Sequence, residues 1–161
     1  MFKLFQMLIQ RYEKNFISFI LLTILLIFIS GCDPGLGPPS VLTGNVIFTG
    51  TMAPHIKYCY VVVAIDRPPG DSLDISYLAN YYDIPLPLKS DTIPFRIELG
   101  EGTYNWVFVA AIGNTDSIGP WNIIGEYIDP VDSTPIPIKV GWADSLWIQI
   151  NADLDKTYKI P

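Results

Sequence analysis

The chain contains two cysteines, and a cysteine thiolate is both a nucleophile and a site of covalent modification. Cys32 comes directly after the small residues Ser30 and Gly31, at the end of an apolar run over 16–29 with only two polar side chains. The residues before that run are basic. A basic start, an apolar stretch and small residues before a cut site are the parts of a secretory signal peptide. We therefore predict that residues 1–31 are a signal peptide that is removed.

The residues Ile29-Ser30-Gly31-Cys32 resemble a bacterial lipobox. The resemblance implies that a diacylglyceryl group is attached to the Cys32 sulfur, that the chain is cut before Cys32, and that the new amino terminus is usually acylated. Two or more acyl chains hold a protein firmly, at ~0.8 kcal/mol per buried methylene. The expected location is the cell envelope, on the non-cytoplasmic side of the outer or inner membrane, with that membrane as the first partner.

An uncleaved membrane helix is the alternative. The uncharged run over 15–32 reaches the length at which a spanning helix becomes a candidate. As a helix, however, residues 16–29 extend only roughly 21 Å, which is shorter than the hydrocarbon core of about 30 Å. Both interpretations place the rest of the chain outside the cytoplasm, because positive charges stay on the cytoplasmic side.

The remaining 130 residues are enough for one domain. Residues 32–39 contain the cysteine and a Pro/Gly-rich tether, whose residues 33–39 span at most ~25 Å. Residues 40–161 are then a folded domain. Of 10 basic and 16 acidic residues, three basic and one acidic lie in the leader, so the mature part has a net charge of −8. Such a surface repels phosphate backbones, and we expect no nucleic-acid partner.

Cys59 is the second candidate for cysteine chemistry. It lies in the apolar segment 56–65, where a buried cysteine serves as a small apolar residue. A catalytic pair with the single histidine, His55, is the alternative, but no neighbouring residue marks either of them as activated. With Cys32 lipidated, no disulfide and no cysteine-based metal site is expected.

Two pairs of acidic residues offer oxygen ligands of the kind that Ca²⁺ accepts, namely Asp129 with Asp132 and Asp153 with Asp155. Neither pair fits a known calcium loop, and aspartate beside proline or at a strand end favours turn chemistry. Nothing indicates two carboxylates facing each other for glycoside hydrolysis. We predict no metal, no cofactor and no enzymatic activity.

Alternating apolar and polar residues predict strands through most of the domain. The predicted strands cover 41–49, 56–65, 93–99, 103–112, 121–128, 136–140 and 146–152. The turn at 100–102 predicts a hairpin between the third and fourth of these, and the turn at 141–144 predicts another between the last two. Residues 71–82 show a weak pattern for a short helix, with an irregular loop as the alternative.

About seven short antiparallel strands cannot cover one another in one flat layer, so we predict an all-β sandwich behind the N-terminal signal helix. The stretches 42–50, 61–64, 99–104 and 124–127 resemble the carboxypeptidase regulatory-like domains. These belong to a prealbumin-like, starch-binding-like group of sandwiches found in bacterial envelope lipoproteins. The resemblance implies this fold and no active site, because the regulatory-like domain has none of its own.

Two functions fit these observations, and the fold does not choose between them. The first is a non-enzymatic structural or interaction module that contacts other envelope proteins. The second is a carbohydrate-binding module that uses exposed loop aromatics, for which Tyr81, Tyr82 and Trp121 are the candidates. The same three side chains could instead cover the open end of their own sandwich.

Overall fold

The computed structural model describes residues 39–68, 75–114 and 119–161. In its longest strands, more buried and more exposed side chains alternate. The signal peptide, Ile29-Ser30-Gly31-Cys32 and residues 32–38 of the tether lie outside the described residues. The described residues contain three short 3-10 helices, at Ile75–Tyr77, Pro120–Asn122 and Leu154–Lys159. The strands of the described residues are β1 (Ser40–Thr49), β2 (Tyr58–Ala64), β3 (Leu78–Asp83), β4 (Thr92–Leu99), β5 (Gly102–Tyr104), β6 (Trp106–Ile112), β7 (Ile123–Glu126), β8 (Ile138–Val140) and β9 (Ser145–Asp153).

Seven of these strands form one sheet in the order β3-β2-β6-β7-β9-β1-β4, and β5 pairs with β8 in a second, small sheet. The all-β prediction is confirmed. Neighbouring strands are antiparallel except for β1 and β9, which run parallel with Val41 opposite Ser145 and Thr49 opposite Asp153. The alternation of side chains could not reveal this parallel pair, because it repeats every two residues in both kinds of sheet.

The large sheet curls until its two edge strands, β3 and β4, approach each other. The Asn80 side-chain amide of β3 donates to the Glu98 carbonyl of β4 at 2.7 Å. Two halves of one sheet therefore face each other across the core, as the two layers of a sandwich do. The contact also occupies part of an otherwise unpaired strand edge.

The main core fills the inside of this curled sheet. Its members come from alternate positions, as in the cross-strand pairs Leu42 with Ile97 and Val46 with Ile93. A Cβ on Gly44 would collide with the Ile148 carbonyl oxygen of β9 and lie 2.8 Å from the Phe95 ring. Only glycine therefore fits between that backbone and the aromatic side chain.

Strands β2 and β6 differ from the others because both of their faces are buried over most of their length. Their inward side chains join the main core. Their outward side chains form a second apolar group, here called the outer cluster, which consists of Val62, Ala64, Trp106, Phe108 and Ala110. The two aromatic rings of this cluster lie 4.2 Å apart between centroids.

The two predicted hairpins are wrong. Strand β4 pairs with β1 and not with the strand that follows it, while β8 pairs with β5 and not with β9. In both places the chain crosses from one sheet to the other, and the small sheet adds Tyr104, Ile138 and Val140 to the main core. The Tyr104 hydroxyl donates to the Gly100 carbonyl at 2.9 Å and fixes the first of these crossings.

The described part of the predicted 71–82 helix is mostly strand. A single 3-10 turn at Ile75–Tyr77 leads directly into β3, which pairs with β2. Pairing to an existing strand supplies the backbone hydrogen bonds that a short isolated helix would have to form alone.

Candidate binding surface

Three tyrosines form a row on the outward face of β2 and β3. Tyr58 and Tyr60 are two residues apart on β2 and so point to the same side, while Cys59 between them points inward. The rings of Tyr58 and Tyr60 are nearly parallel, with centroids 6.2 Å apart. Tyr81 of β3 meets the Tyr60 ring edge-on at 5.5 Å. We call Tyr58, Tyr60 and Tyr81 the tyrosine row.

The row is open to solvent at both ends. Tyr58 is 51% exposed and Tyr81 is 60% exposed, whereas Tyr60 between them is half-buried. Exposed rings on neighbouring strands of a paired sheet are held with little remaining freedom, because a tyrosine has only two side-chain torsions and its backbone is fixed. The row is therefore a preformed aromatic surface.

The charge around the row comes from Asp83, which lies directly opposite Tyr60 in the pairing of β2 and β3. Burial, and then the nearby Asp83 and neighbouring tyrosines, raise the pKa of the Tyr60 hydroxyl above its ordinary value of 10.0. Tyr60 accordingly keeps its proton at neutral pH and offers a hydrogen-bond donor beside an exposed carboxylate acceptor.

The outer cluster supports the row from the side. Tyr60 packs against it, and Trp106 within it donates its indole N–H to Glu126 Oε1 at 2.7 Å. The Arg67 guanidinium lies over the Trp106 ring, 5.2 Å from its centroid. The exposed tyrosine row is thus continuous with the buried side chains of the outer cluster.

The three aromatics predicted from the sequence do not come together. Tyr81 and Tyr82 are consecutive residues of a strand and point to opposite faces, and Tyr82 packs inward beside Phe95 with ring centroids 6.4 Å apart. Trp121 lies in the 3-10 helix before β7, three strands away from β3. Only Tyr81 belongs to the row.

Sequence reasoning missed Tyr58 and Tyr60 because it assigned the whole of 56–65 to a buried central strand. The exposed end of that strand carries a signal, since tyrosines at 58 and 60 flank Cys59 and follow a lysine at 57. Polar-tipped rings at every second position are typical of one solvent-facing side.

Cys59 is fully buried, as predicted. It forms no disulfide within the described residues. Burial, followed by the charge of Asp83, raises the pKa of its thiol from the ordinary 9.0 to about 12. The thiolate that nucleophilic chemistry needs is therefore essentially absent at neutral pH. The His55 ring contacts a different group, because its Nε2 lies 3.0 Å from the Ile160 carbonyl oxygen.

The first aspartate pair stabilises a turn. Asp129 Oδ1 accepts from the Val131 N–H at 2.7 Å, and Asp132 Oδ1 accepts from the Thr134 N–H at 2.9 Å. The hydrogen bonds to Thr134, first its hydroxyl and then its N–H, lower the pKa of Asp132. These are the turn contacts expected of aspartate in loops.

In the second pair, Asp153 caps the C-terminal 3-10 helix and Asp155 joins that helix to the loop after β1. Asp153 accepts from the Asp155 N–H at 3.0 Å, and Asp155 accepts from the Thr51 N–H at 2.9 Å.

Within 39–68, 75–114 and 119–161, no three His, Cys, Asp or Glu side chains are grouped so that they could hold a metal ion. The same residues contain no helix with the length and apolarity needed to cross a membrane.

Comparison of the chain with protein-family models, with curated proteins and with solved structures finds no match. The resemblance to carboxypeptidase regulatory-like domains stays a prediction, carried by the short stretches that suggested it.

Proposed function

We propose that the chain is a lipid-anchored, non-enzymatic binding module of the bacterial cell envelope. The observation that supports binding is the tyrosine row, an open aromatic surface on paired strands with a buried layer beside it. The anchoring part of the proposal rests on the sequence Ile29-Ser30-Gly31-Cys32. The domain would then present its surface to other envelope components while the acyl chains hold it at the membrane.

The row has the properties of a contact surface. Tyrosine gives a large apolar contact area together with a polar tip, and it loses little side-chain entropy when it is bound. Aromatic residues are accordingly enriched in the buried parts of protein interfaces. An envelope protein that places apolar side chains against Tyr58 and Tyr81 fits this chemistry.

A carbohydrate is the second candidate ligand, and the arrangement of Tyr58, Tyr60 and Asp83 favours it. Two nearly parallel rings can contact the apolar faces of sugar rings, and the Asp83 carboxylate and the Tyr60 hydroxyl can hydrogen-bond to sugar hydroxyls. This proposal keeps Tyr81 from the sequence-based set and replaces Tyr82 and Trp121 by Tyr58 and Tyr60.

The anchor is tested by growing cells that express the protein with labelled palmitate. We expect label in the wild-type protein and none in Cys32→Ser, which should also run larger because its leader is retained. Label that persists in Cys32→Ser would contradict lipidation at this cysteine.

The surface is tested with Tyr58→Ala and Tyr81→Ala, using a glycan array and pull-down from envelope extracts in parallel. Both variants should lose binding while stability changes by less than ~0.5 kcal/mol, as for exposed side chains. Trp147→Ala is the matched control, because Trp147 is 63% exposed but lies on β9, away from the row. Equal binding by all three variants and the wild type would exclude the tyrosine row as the binding surface.

A further inference from the structure

A second set of exposed apolar residues lies where the described chain begins. Strands β1, β3, β6 and β9 run away from one end of the large sheet, and β2, β4 and β7 run towards it, as the pairing directions require. We call this end the entry end, because Ser40 opens β1 there. At the entry end, Ile65 follows β2, Leu78 opens β3, and Val131 and Trp142 lie in connecting loops. All four are among the exposed large hydrophobic residues.

Trp142 is held next to the first residues of β1. Its turn is joined to Ser40 by a hydrogen bond from the Ser40 hydroxyl to the Gly141 carbonyl at 2.5 Å and by one from the Asp144 N–H to Ser40 Oγ at 3.2 Å. The Val41 N–H donates to the Asp144 carbonyl at 2.8 Å. Trp142, 57% exposed, therefore projects from a turn that is pinned to the point where the chain enters the domain.

The proposed lipid anchor lies only a short stretch of chain before that point. Residues 33–39 separate Cys32 from Ser40 and extend at most ~25 Å. The ten residues of β1 alone rise roughly 33 Å, so the opposite end of the sheet is much harder to bring to the membrane. Trp121 and Tyr58 lie at that opposite end, at the starts of β7 and β2.

We infer that the entry end docks on the surface of the membrane that holds the anchor, with the Trp142 indole in the headgroup region. Tryptophan prefers this region because its ring is apolar and its N–H finds a polar partner. Ile65, Leu78 and Val131 are further exposed apolar side chains at the same end of the sheet. The inference rests on the proposed function, since it needs the lipid on Cys32.

The charge of the entry end indicates the type of lipid. Exposed acidic side chains there include Asp66, Glu101, Asp132 and Asp144, against the basic Arg67 and Lys139. Anionic lipids attract basic segments and repel acidic ones, with a range of about one Debye length. The contact should therefore form on zwitterionic headgroups and weaken as anionic lipid is added, most strongly at low salt.

The test uses the lipidated full-length product purified from membranes and reconstituted into phosphatidylcholine vesicles whose acyl chains are brominated near the headgroups. All proteins carry Trp147→Phe, which leaves Trp106, Trp121 and Trp142 as emitters. Bromine should quench part of the emission, and Trp142→Phe should remove most of that quenching. Trp121→Phe, the matched control at the opposite end, should leave the quenching unchanged.

Flotation of the vesicles in a density gradient separates the two possible failures. A protein that does not float with the vesicles has no anchor, and this result overturns both the proposed function and the docking. If the protein floats but Trp142→Phe does not reduce the quenching, the docking alone is overturned. A shift in Trp142 emission that does not depend on bromine but grows with protein concentration would indicate contact with another protein or with a second copy. That result would also overturn the docking.

Discussion

The two halves of the large sheet use their outward faces differently. In the half made of β4, β1 and β9, outward positions are mostly polar, so each strand reads as a simple alternation. In the half made of β2 and β6, the outward positions of the outer cluster are apolar and buried, and the alternation disappears there. The residue pattern of a strand therefore indicates whether one or both of its faces are buried. The tyrosine row lies on the half whose outward face also carries a buried cluster, against which Tyr60 packs.

The largest expected effect concerns the outer cluster, on the outward face of β2 and β6. Phe108 points outward but is only 1% exposed, so Phe108→Ala should destabilise the domain by about 3–5 kcal/mol through lost burial and a cavity. The outward Trp147 on β9 is the control, and Trp147→Ala should cost less than ~0.5 kcal/mol. Denaturant midpoints at unchanged slope measure both. Equal, small losses would show that the outer cluster is not a second core.

The next effect compares two neighbours on one strand. Tyr82→Ala should destabilise by about 3 kcal/mol because Tyr82 packs against Phe95 and the main core. Tyr81→Ala should cost less than ~0.5 kcal/mol because this ring lies in solvent. Thermal melting of the two variants is sufficient. A large loss for Tyr81→Ala would place the tyrosine row in the core and remove it as a binding surface.

A smaller effect compares two glutamates. Glu126→Ala leaves the buried Trp106 N–H without its acceptor and should cost about 1–3 kcal/mol. Glu98→Ala on the polar half removes an exposed ion pair with Arg96, 3.6 Å long, and should cost at most about 0.5 kcal/mol. The difference in the free energy of unfolding is the measurement. A reversed order would mean that the indole hydrogen bond is not formed in solution.

The smallest effect is an absence of reaction at Cys59, on the inward face of β2. Because the pKa of this thiol is raised to about 12, a bulky thiol reagent at pH 8 should label it only when the domain unfolds. The unfolded thiol ionises near 9.0 and the folded one does not, so stability is constant below that pH and falls as the pH rises towards 12. Labelling faster than global unfolding would contradict its burial.

The all-β class, the positions of most strands and the burial of Cys59 could be predicted from the amino-acid sequence alone. These properties depend on side chains a few residues apart, since a period of two residues identifies a strand and its inward face wherever the strand later pairs. The role of Asp129 and Asp132 in a turn could also be predicted from the sequence, because aspartate accepts hydrogen bonds from backbone N–H groups within its own loop.

Which strands pair with each other could not be predicted in the same way. The parallel pairing of β1 with β9, the curling of β3 towards β4 and the loss of both predicted hairpins join residues far apart in the chain, where local pattern carries no information on partners. The tyrosine row and the entry end follow from those pairings. Tyr60 meets Tyr81 through the pairing of β2 with β3, and the turn that carries Trp142 is hydrogen-bonded to Ser40 at the start of β1.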